Sequence, residues 1–209
     1  MGRTIFIGDI HGCLDEFLAI LDRLAITAGD RVICIGDLIN KGPKSAAVVR
    51  VVYKRGFECL RGNHDHSYLK HPENRRYAEL HDALPGKVRK WYGKLPLYIE
   101  DQHFLAVHAG LAPGLGIAGQ DPHILMSIRT WDGKGDRLNS ADDPPWYSFY
   151  KGQKPVIYGH WAAAGLTVRR HTIGLDSGCV YGNQLTAYVL ETGEIIQVQA
   201  KKVYAAVSG

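Results

Sequence analysis

Three short apolar runs open the chain: TIFI (residues 4–7), VICI (32–35) and ECL (58–60). Each ends at a polar turn containing glycine: GDIHG, GDLINKG and RGNHD. Runs this short, bounded by turn residues, read as buried strands. Between them lie two stretches with helical spacing. LDEFLAILDRL places Leu14, Phe17, Leu18, Leu21 and Leu24 along one face, and SAAVVRVVYKRG runs from Ser45 as its N-cap to Gly56 as its stop. Strand, helix, strand, helix, strand predicts two βαβ units with parallel strands. Residues 65–94 are polar, with helical stretches at RRYAEL and GKVRKWYGKL. PLYIEDQHFLAVHAG predicts a hairpin around Asp101 and Gln102, and residues 110–155, rich in Gly, Pro and Asp, predict loops with short helices. PVIYGHW predicts another strand ending in a polar turn, and LTAYVLETGEIIQVQA a hairpin over Glu191, Thr192 and Gly193. No linker, repeat or low-complexity stretch divides the chain, so one domain over residues 1–209 is expected.

Composition narrows the class. Hydrophobic residues make up 45% and charged residues 22%, which suits a soluble globular protein. A net charge of +4 is compatible with an anionic substrate and equally with an ordinary solvated surface. The ten histidines say more, because imidazole is the commonest neutral metal ligand near pH 7. Cys13, Cys34, Cys59 and Cys179 form no CxxC pair, which favours reduced thiols over a disulfide framework or zinc knuckle. Neither a signal-peptide pattern nor a run of apolar residues long enough to cross a membrane is visible, so a cytoplasmic protein is expected.

The spacing of the polar turns carries the chemistry. His11 and Asp37 are 26 residues apart, and so are Asp37 and Asn63. Such spacing lets right-handed crossovers lay neighbouring strands side by side, so the turns converge at the carboxyl ends of the strands, where open α/β sheets place ligands. Asp9, His11, Asp37, Asn63 and His64 then share one pocket, and VHAG and YGHW bring His108 and His160 to it. Carboxylate and amide oxygen with imidazole nitrogen is a donor set for Mn²⁺, Fe or Zn²⁺. One ion would take Asp9 and His11, the other Asn63, His108 and His160, with Asp37 bridging. A pair of ions in that arrangement can activate water and clamp the oxygens of an in-line displacement at phosphorus. The bland alternative, capped turns with surface histidines, explains five ordered motifs poorly.

GDIHG, GDLINKGP, RGNHD, VHAG and YGH resemble, in order, the motifs of the phosphoprotein-phosphatase branch of the calcineurin-like metallophosphoesterases. GHWAAAG followed by GLDSGCVYGNQLTAYVLETGE is similar to the C-terminal signature of the ApaH-type symmetrical diadenosine tetraphosphate hydrolases and their ApaH-like relatives. The resemblance implies an α/β fold, a β-sandwich of mixed sheets flanked by helices, with a binuclear metal site at one edge. It implies the same six ligands, Asp9, His11, Asp37, Asn63, His108 and His160, and manganese as the ion, with cobalt, iron or zinc as alternatives. His64 would serve the leaving oxygen, Arg61 would support the phosphate, and Arg129 in ILMSIRTWDG would bind it. The implied substrate is a dinucleoside polyphosphate, with capped RNA 5′ ends or polyphosphate as related substrates. The alternative activity is that of a Ser/Thr or Tyr protein phosphatase.

The second motif departs from the protein-phosphatase form, which has aspartate at the position of Asn40 and arginine at Lys41. A carboxylate there would stabilise an imidazolium at His64 and keep a proton ready for a poor alkoxide leaving group. A nucleoside polyphosphate leaves as a phosphate whose last pKa is about 6 and needs less help. Asn40 is therefore expected to orient His64 through its amide oxygen without the charge, and Lys41 to bind phosphate as a point charge. Trp131, Trp146 and Tyr147 lie in loop-like sequence and are candidates for base stacking, whereas Trp161 is expected to pack. Asp176 in GLDSG either supports the site from behind or is a turn residue, and Lys87, Arg89, Lys90 and Lys94 read as a solvated helix face.

Overall fold

The first third of the chain folds as its apolar rhythm predicts. In the computed structural model, which describes residues 2–206, β1 (Thr4–Ile7), α1 (Leu14–Leu24), β2 (Arg31–Cys34), α2 (Ser45–Arg55) and β3 (Glu58–Cys59) make two consecutive βαβ units. The strands are parallel, with Thr4 opposite Arg31 and Ile33 opposite Glu58. The remaining four residues of the expected domain span, 1 and 207–209, lie outside the described residues. The chain continues through α3 (Asn63–Lys70), α4 (Ala78–Ala83) and α5 (Gly86–Tyr92) to the hairpin β4 (Tyr98–Glu100) and β5 (Leu105–Val107). After a loop region holding α6 (Pro122–Ser127) come β6 (Val156–Tyr158), β7 (Thr167–Val168) and β8 (Thr172–Gly174). The terminal hairpin is β9 (Gln184–Val189) and β10 (Ile195–Gln199).

Two five-stranded mixed sheets result, ordered β10-β9-β1-β2-β3 and β4-β5-β6-β8-β7. Strand alternation sorts the apolar side chains into layers. Phe6, Ile33, Ala106 and Ile157 face the space between the sheets, where Phe6 meets Phe104 edge to face at 4.9 Å. Ile5, Ile7, Val32 and Cys34 point the other way, onto Phe17, Ile20 and Leu21 of α1 and Val48, Val49 and Val52 of α2. Leu105, Val107, Val156 and Tyr158 pack outward against Leu125 and Trp146. Each fully buried side chain of this size contributes about 1.5–3 kcal/mol. The layers are thus helix, sheet, sheet, helix, and the carboxyl ends of β1, β2, β3, β5 and β6 meet along one edge.

Several local expectations change. Ser45 begins α2 but does not cap it. Lys44 holds the N-cap position without a side-chain bond, and the Ser45 hydroxyl accepts the Asn40 N–H at 3.0 Å, serving the loop after β2 instead. RGNHD is less a turn than a helix start, since α3 begins at Asn63 with the Asp65 carboxylate accepting the Gly62 N–H at 2.9 Å. The short strands β7 and β8 (TV and TIG) hold no run of adjacent apolar residues, so no strand stands out there in the sequence. Trp146 is buried on Gly110 and Tyr158, so it is part of the core and not a surface for stacking a base.

Candidate metal centre

The loops at the strand ends are held in uncommon backbone conformations. Six non-glycine residues among those described have positive φ, and five belong to this edge: His11 (46°), Asp37 (48°), Asn40 (75°), Lys41 (67°) and His160 (67°). A left-handed non-glycine residue costs about 1–3 kcal/mol and persists where its surroundings hold it. Here the loops hold one another. His11 N–H donates to the Asp37 carbonyl at 2.8 Å and Gly12 N–H to the Leu38 carbonyl at 2.9 Å. The Asp65 carboxylate, fully buried, accepts N–H bonds from Asp37 (2.7 Å), Leu38 (3.1 Å) and Gly62 (2.9 Å), and a short bond from the Tyr92 hydroxyl. Asp65 ties the loop after β2 to the start of α3. Its partners are backbone groups, which sequence spacing does not reveal, so this role is visible only in the fold. Two glycines are required by close approach. A Cβ on Gly62 would lie 2.1 Å from Asp37 Oδ1, and one on Gly159 2.1 Å from Asp9 Oδ1.

Asp37 sits at the centre. Its Oδ2 lies 3.6 Å from His11 Nε2, 3.6 Å from His108 Nε2 and 3.9 Å from His64 Nε2. Donor atoms group as His11–Asp37–His64 and as Asp37–His108–His160, with Asp37 common to both. Asn63 Oδ1 joins the second group at 3.1 Å from both His108 Nε2 and His160 Nδ1. Asp9 is buried beside them, its two oxygens each 3.1 Å from the His160 N–H. The edge therefore brings together all six side chains expected as ligands, together with His64.

Each of three imidazoles is fixed by a backbone carbonyl. Nδ1 of His11 faces the Ile39 carbonyl at 3.0 Å, Nδ1 of His108 the Ile35 carbonyl at 2.8 Å, and Nε2 of His160 the Ser127 carbonyl at 3.2 Å. A ring nitrogen facing a carbonyl carries the proton, so the opposite nitrogen of a neutral ring presents a lone pair. Those lone pairs converge on Asp37 and Asn63. The 3.1 Å contacts of Asn63 Oδ1 are then acceptor against acceptor, an arrangement that a cation among the lone pairs would relieve.

Charge tells the same story. Burial pushes Asp9 well above the usual carboxylate range, with Asp176 and Asp37 adding repulsion. Burial raises Asp37 to about 7. Asp176 is buried, accepts the Gly178 N–H at 3.1 Å, and is likewise raised by burial. Burial lowers His108, and it lowers His11 and His160 well below the ordinary imidazole value. Neutral imidazoles around crowded carboxylates suit divalent cations, which remove the carboxylate repulsion and accept the nitrogen lone pairs.

His64 stands at the rim, about one-fifth exposed. Burial and then the charge of Lys41 lower it to about 3, so it is neutral. Its Nδ1 meets the Asn40 amide nitrogen at 2.7 Å. This differs from the expectation of an oxygen contact. The NH₂ donates to Nδ1, which puts the ring proton on Nε2, toward Asp37. Lys41 donates from Nζ to the Tyr181 hydroxyl at 2.6 Å, and its charge is felt at Asp9, His11, Asp37, His64 and Asp176. The Arg129 backbone is pinned by Leu138 and Trp146, its Nε is buried without a partner, and its charge reaches His108 and His160. Arg61 instead directs Nη2 to the Gly93 carbonyl at 2.8 Å, at the end of α5. Tyr147 and Trp161 lie near one another, with rings 6.3 Å apart, and Arg169 covers Tyr147 at 3.8 Å.

This fold and donor set define a metal-dependent phosphoesterase, and the chain belongs to the calcineurin-like phosphoesterase family, whose model matches residues 2–191. It is 29% identical to a symmetrical bis(5′-nucleosyl)-tetraphosphatase of Dechloromonas aromatica, over 97% of this chain and 98% of that one. It is 26% identical to the asymmetrical bis(5′-nucleosyl)-tetraphosphatase PrpE of Oceanobacillus iheyensis, over 96% of this chain and 93% of that one. Among solved structures, the crystal structure of a candidate diadenosine tetraphosphatase matches with a TM-score of 0.88 at 34% identity, covering 95% of this chain and 94% of that one. Membership of the family implies divalent metal ions, and the donor groups around Asp37 fit them. No helix among the described residues is long and apolar enough to cross a membrane.

Proposed function

We propose that the chain hydrolyses phosphoanhydride bonds in dinucleoside polyphosphates such as diadenosine tetraphosphate. The observation that supports this most directly is Asp37 shared between two donor groups, in a chain similar to tetraphosphatases along nearly its whole length. Asp9, His11 and Asp37 would hold one divalent ion, and Asp37, Asn63, His108 and His160 the other. Bound there, the two ions supply Lewis acidity and activate water for attack at phosphorus. The carbonyl partners of His11, His108 and His160 keep those rings neutral and oriented. His64, with its proton on Nε2, donates a hydrogen bond to the leaving phosphate oxygen, whose low basicity lets it depart as the anion without taking up the proton. Lys41 and Arg129 supply positive charge to the phosphates, whereas Arg61 is held by the Gly93 carbonyl.

The donor set, three oxygen and three imidazole side chains, accommodates manganese, iron or zinc, and manganese is the ion we propose on the strength of the family resemblance. Four free, buried cysteines suit the cytoplasm, and we take residues 1–209 as one domain. Capped RNA 5′ ends and inorganic polyphosphate contain the same anhydride and are the further substrates to assay. The test is product analysis on diadenosine tetraphosphate with Mn²⁺, before and after chelation. Two ADP would mark symmetrical cleavage, and ATP with AMP asymmetrical cleavage. A phosphopeptide turned over faster than the dinucleotide would overturn the proposal in favour of a protein phosphatase.

A further inference from the structure

A groove of about 530 Å³ is lined in part by Asn40, Lys41, Lys44, Arg50, Arg76 and Glu79. That volume is within the range of small-ligand sites. Lys44 is neutralised by Asp15 at 2.7 Å. The other three cations are held by neutral groups: Lys41 by the Tyr181 hydroxyl at 2.6 Å, Arg50 by the Ala83 carbonyl at 2.9 Å, and Arg76 by the Ser67 hydroxyl at 2.8 Å. Neutral acceptors fix the position of a cation without cancelling its charge. Three different segments, the loop after β2, α2 and the turn before α4, thus contribute to the lining of one groove cations whose hydrogen-bond partners are neutral, against which Glu79 is the acid in the lining.

The groove and the metal centre share Asn40 and Lys41. Asn40 forms part of its wall and also holds His64 Nδ1. Because Nδ1 faces Asn40 and Nε2 faces Asp37, the His64 ring stands between the metal centre and the groove wall, and a leaving group served by Nε2 lies on the side of the centre that the groove borders. We propose that this groove receives the phosphate chain on the leaving side of the scissile bond. The inference rests on reading the centre as a polyphosphate hydrolase with His64 at the leaving oxygen. A monoester has no further phosphates to place there, whereas a polyphosphate is a linear anion that can meet Lys41, Arg76 and Arg50 in turn.

The probe is calorimetric titration of the metal-loaded protein with imidotriphosphate, the P–N–P analogue of tripolyphosphate that resists hydrolysis, beside orthophosphate. In Arg50→Gln/Arg76→Gln the ratio of the two Kd values should move about tenfold or more against imidotriphosphate, the scale of lost charge-assisted bonds. Glu79→Gln, an exposed position that tolerates the change, should tighten imidotriphosphate severalfold. Ratios unchanged within twofold in both variants, or equal weakening of both anions, would overturn the groove. Failure of the wild-type protein to cleave diadenosine tetraphosphate, with the ratio still shifting, would remove the dinucleotide as substrate and leave the groove a polyphosphate site.

Discussion

Replacing Asn40 by aspartate tests what the amide does for His64. The backbone does not confound the change, because Asn40 has φ of 75° and aspartate is among the few residues that enter the left-handed region readily. In the wild-type protein the amide nitrogen lies 2.7 Å from Nδ1 and burial lowers His64 to about 3. The ring is therefore neutral throughout the range of ordinary assays. An aspartate in the same place reverses the hydrogen bond, so that Nδ1–H donates and the ring favours the imidazolium. With charge centres about 4 Å apart and an effective dielectric of about 20, the attraction is about 4 kcal/mol. That corresponds to about 3 pKa units, which would carry His64 to about 6 despite the opposing charge of Lys41. The measurements are NMR titration of the His64 ring and kcat/KM against pH for an alkyl phosphate and for diadenosine tetraphosphate, at one ionic strength. The variant should show a new loss of alkyl phosphatase activity as pH rises through about 6, where the imidazolium gives up its proton. The ratio of alkyl ester to anhydride should rise severalfold, while the anhydride rate holds or falls because the added charge repels a polyanion. A His64 midpoint moved by less than about one unit, or an unchanged substrate ratio, would show that Asn40 is only a turn residue.

Three further outcomes follow from the same geometry. Asp65→Asn leaves an amide NH₂ facing a backbone N–H, as at Leu38, so urea unfolding should show a loss of about 1–3 kcal/mol; a change below about 0.5 kcal/mol would mean that Asp65 does not tie the loops together. Arg129→Ala should cost about 2–4 kcal/mol in transition-state stabilisation, read from kcat/KM on diadenosine tetraphosphate; a change under about threefold would pass the role to Arg169. The Asp30 carboxylate is held below its ordinary value, first by the Arg3 guanidinium at 2.7 and 3.1 Å and then by N–H bonds from Thr27 and Arg3. Its contribution is complete above the unfolded pKa of about 3.9 and is lost as pH falls below it, so Asp30→Asn should flatten the acid side of the stability profile, and an identical slope would refute the assignment.

The donor-bearing edge was legible in the sequence because its chemistry is local. Each functional turn directly follows an apolar run, so a strand of four residues and the next few positions carry both the direction of the chain and the donor atoms. GDIHG after β1 and YGH after β6 are of this kind, and parallel crossovers then bring the turns together. Strands β7 and β8 escape such reading, since TV and TIG form no run of adjacent apolar residues, whereas the equally short β6, VIY, does. Trp146 escaped it too, because its loop-like surroundings hid its packing on Gly110 and Tyr158.

Sequence alone, through the order and spacing of its turns, determined which side chains would meet at the sheet edge. Tertiary structure alone decided their electronic state. The proton on His11 is placed by the Ile39 carbonyl, that on His108 by the Ile35 carbonyl and that on His160 by the Ser127 carbonyl, each on another segment of the chain. Ser45 was drawn from capping its helix to holding the Asn40 loop, and Asp65 acquired three backbone donors from two loops. The direction of the Asn40 amide, and with it the tautomer of His64, belongs to the same level. Backbone donors and acceptors are the same in every residue, so which of them comes to face a given side chain is determined only when distant segments pack.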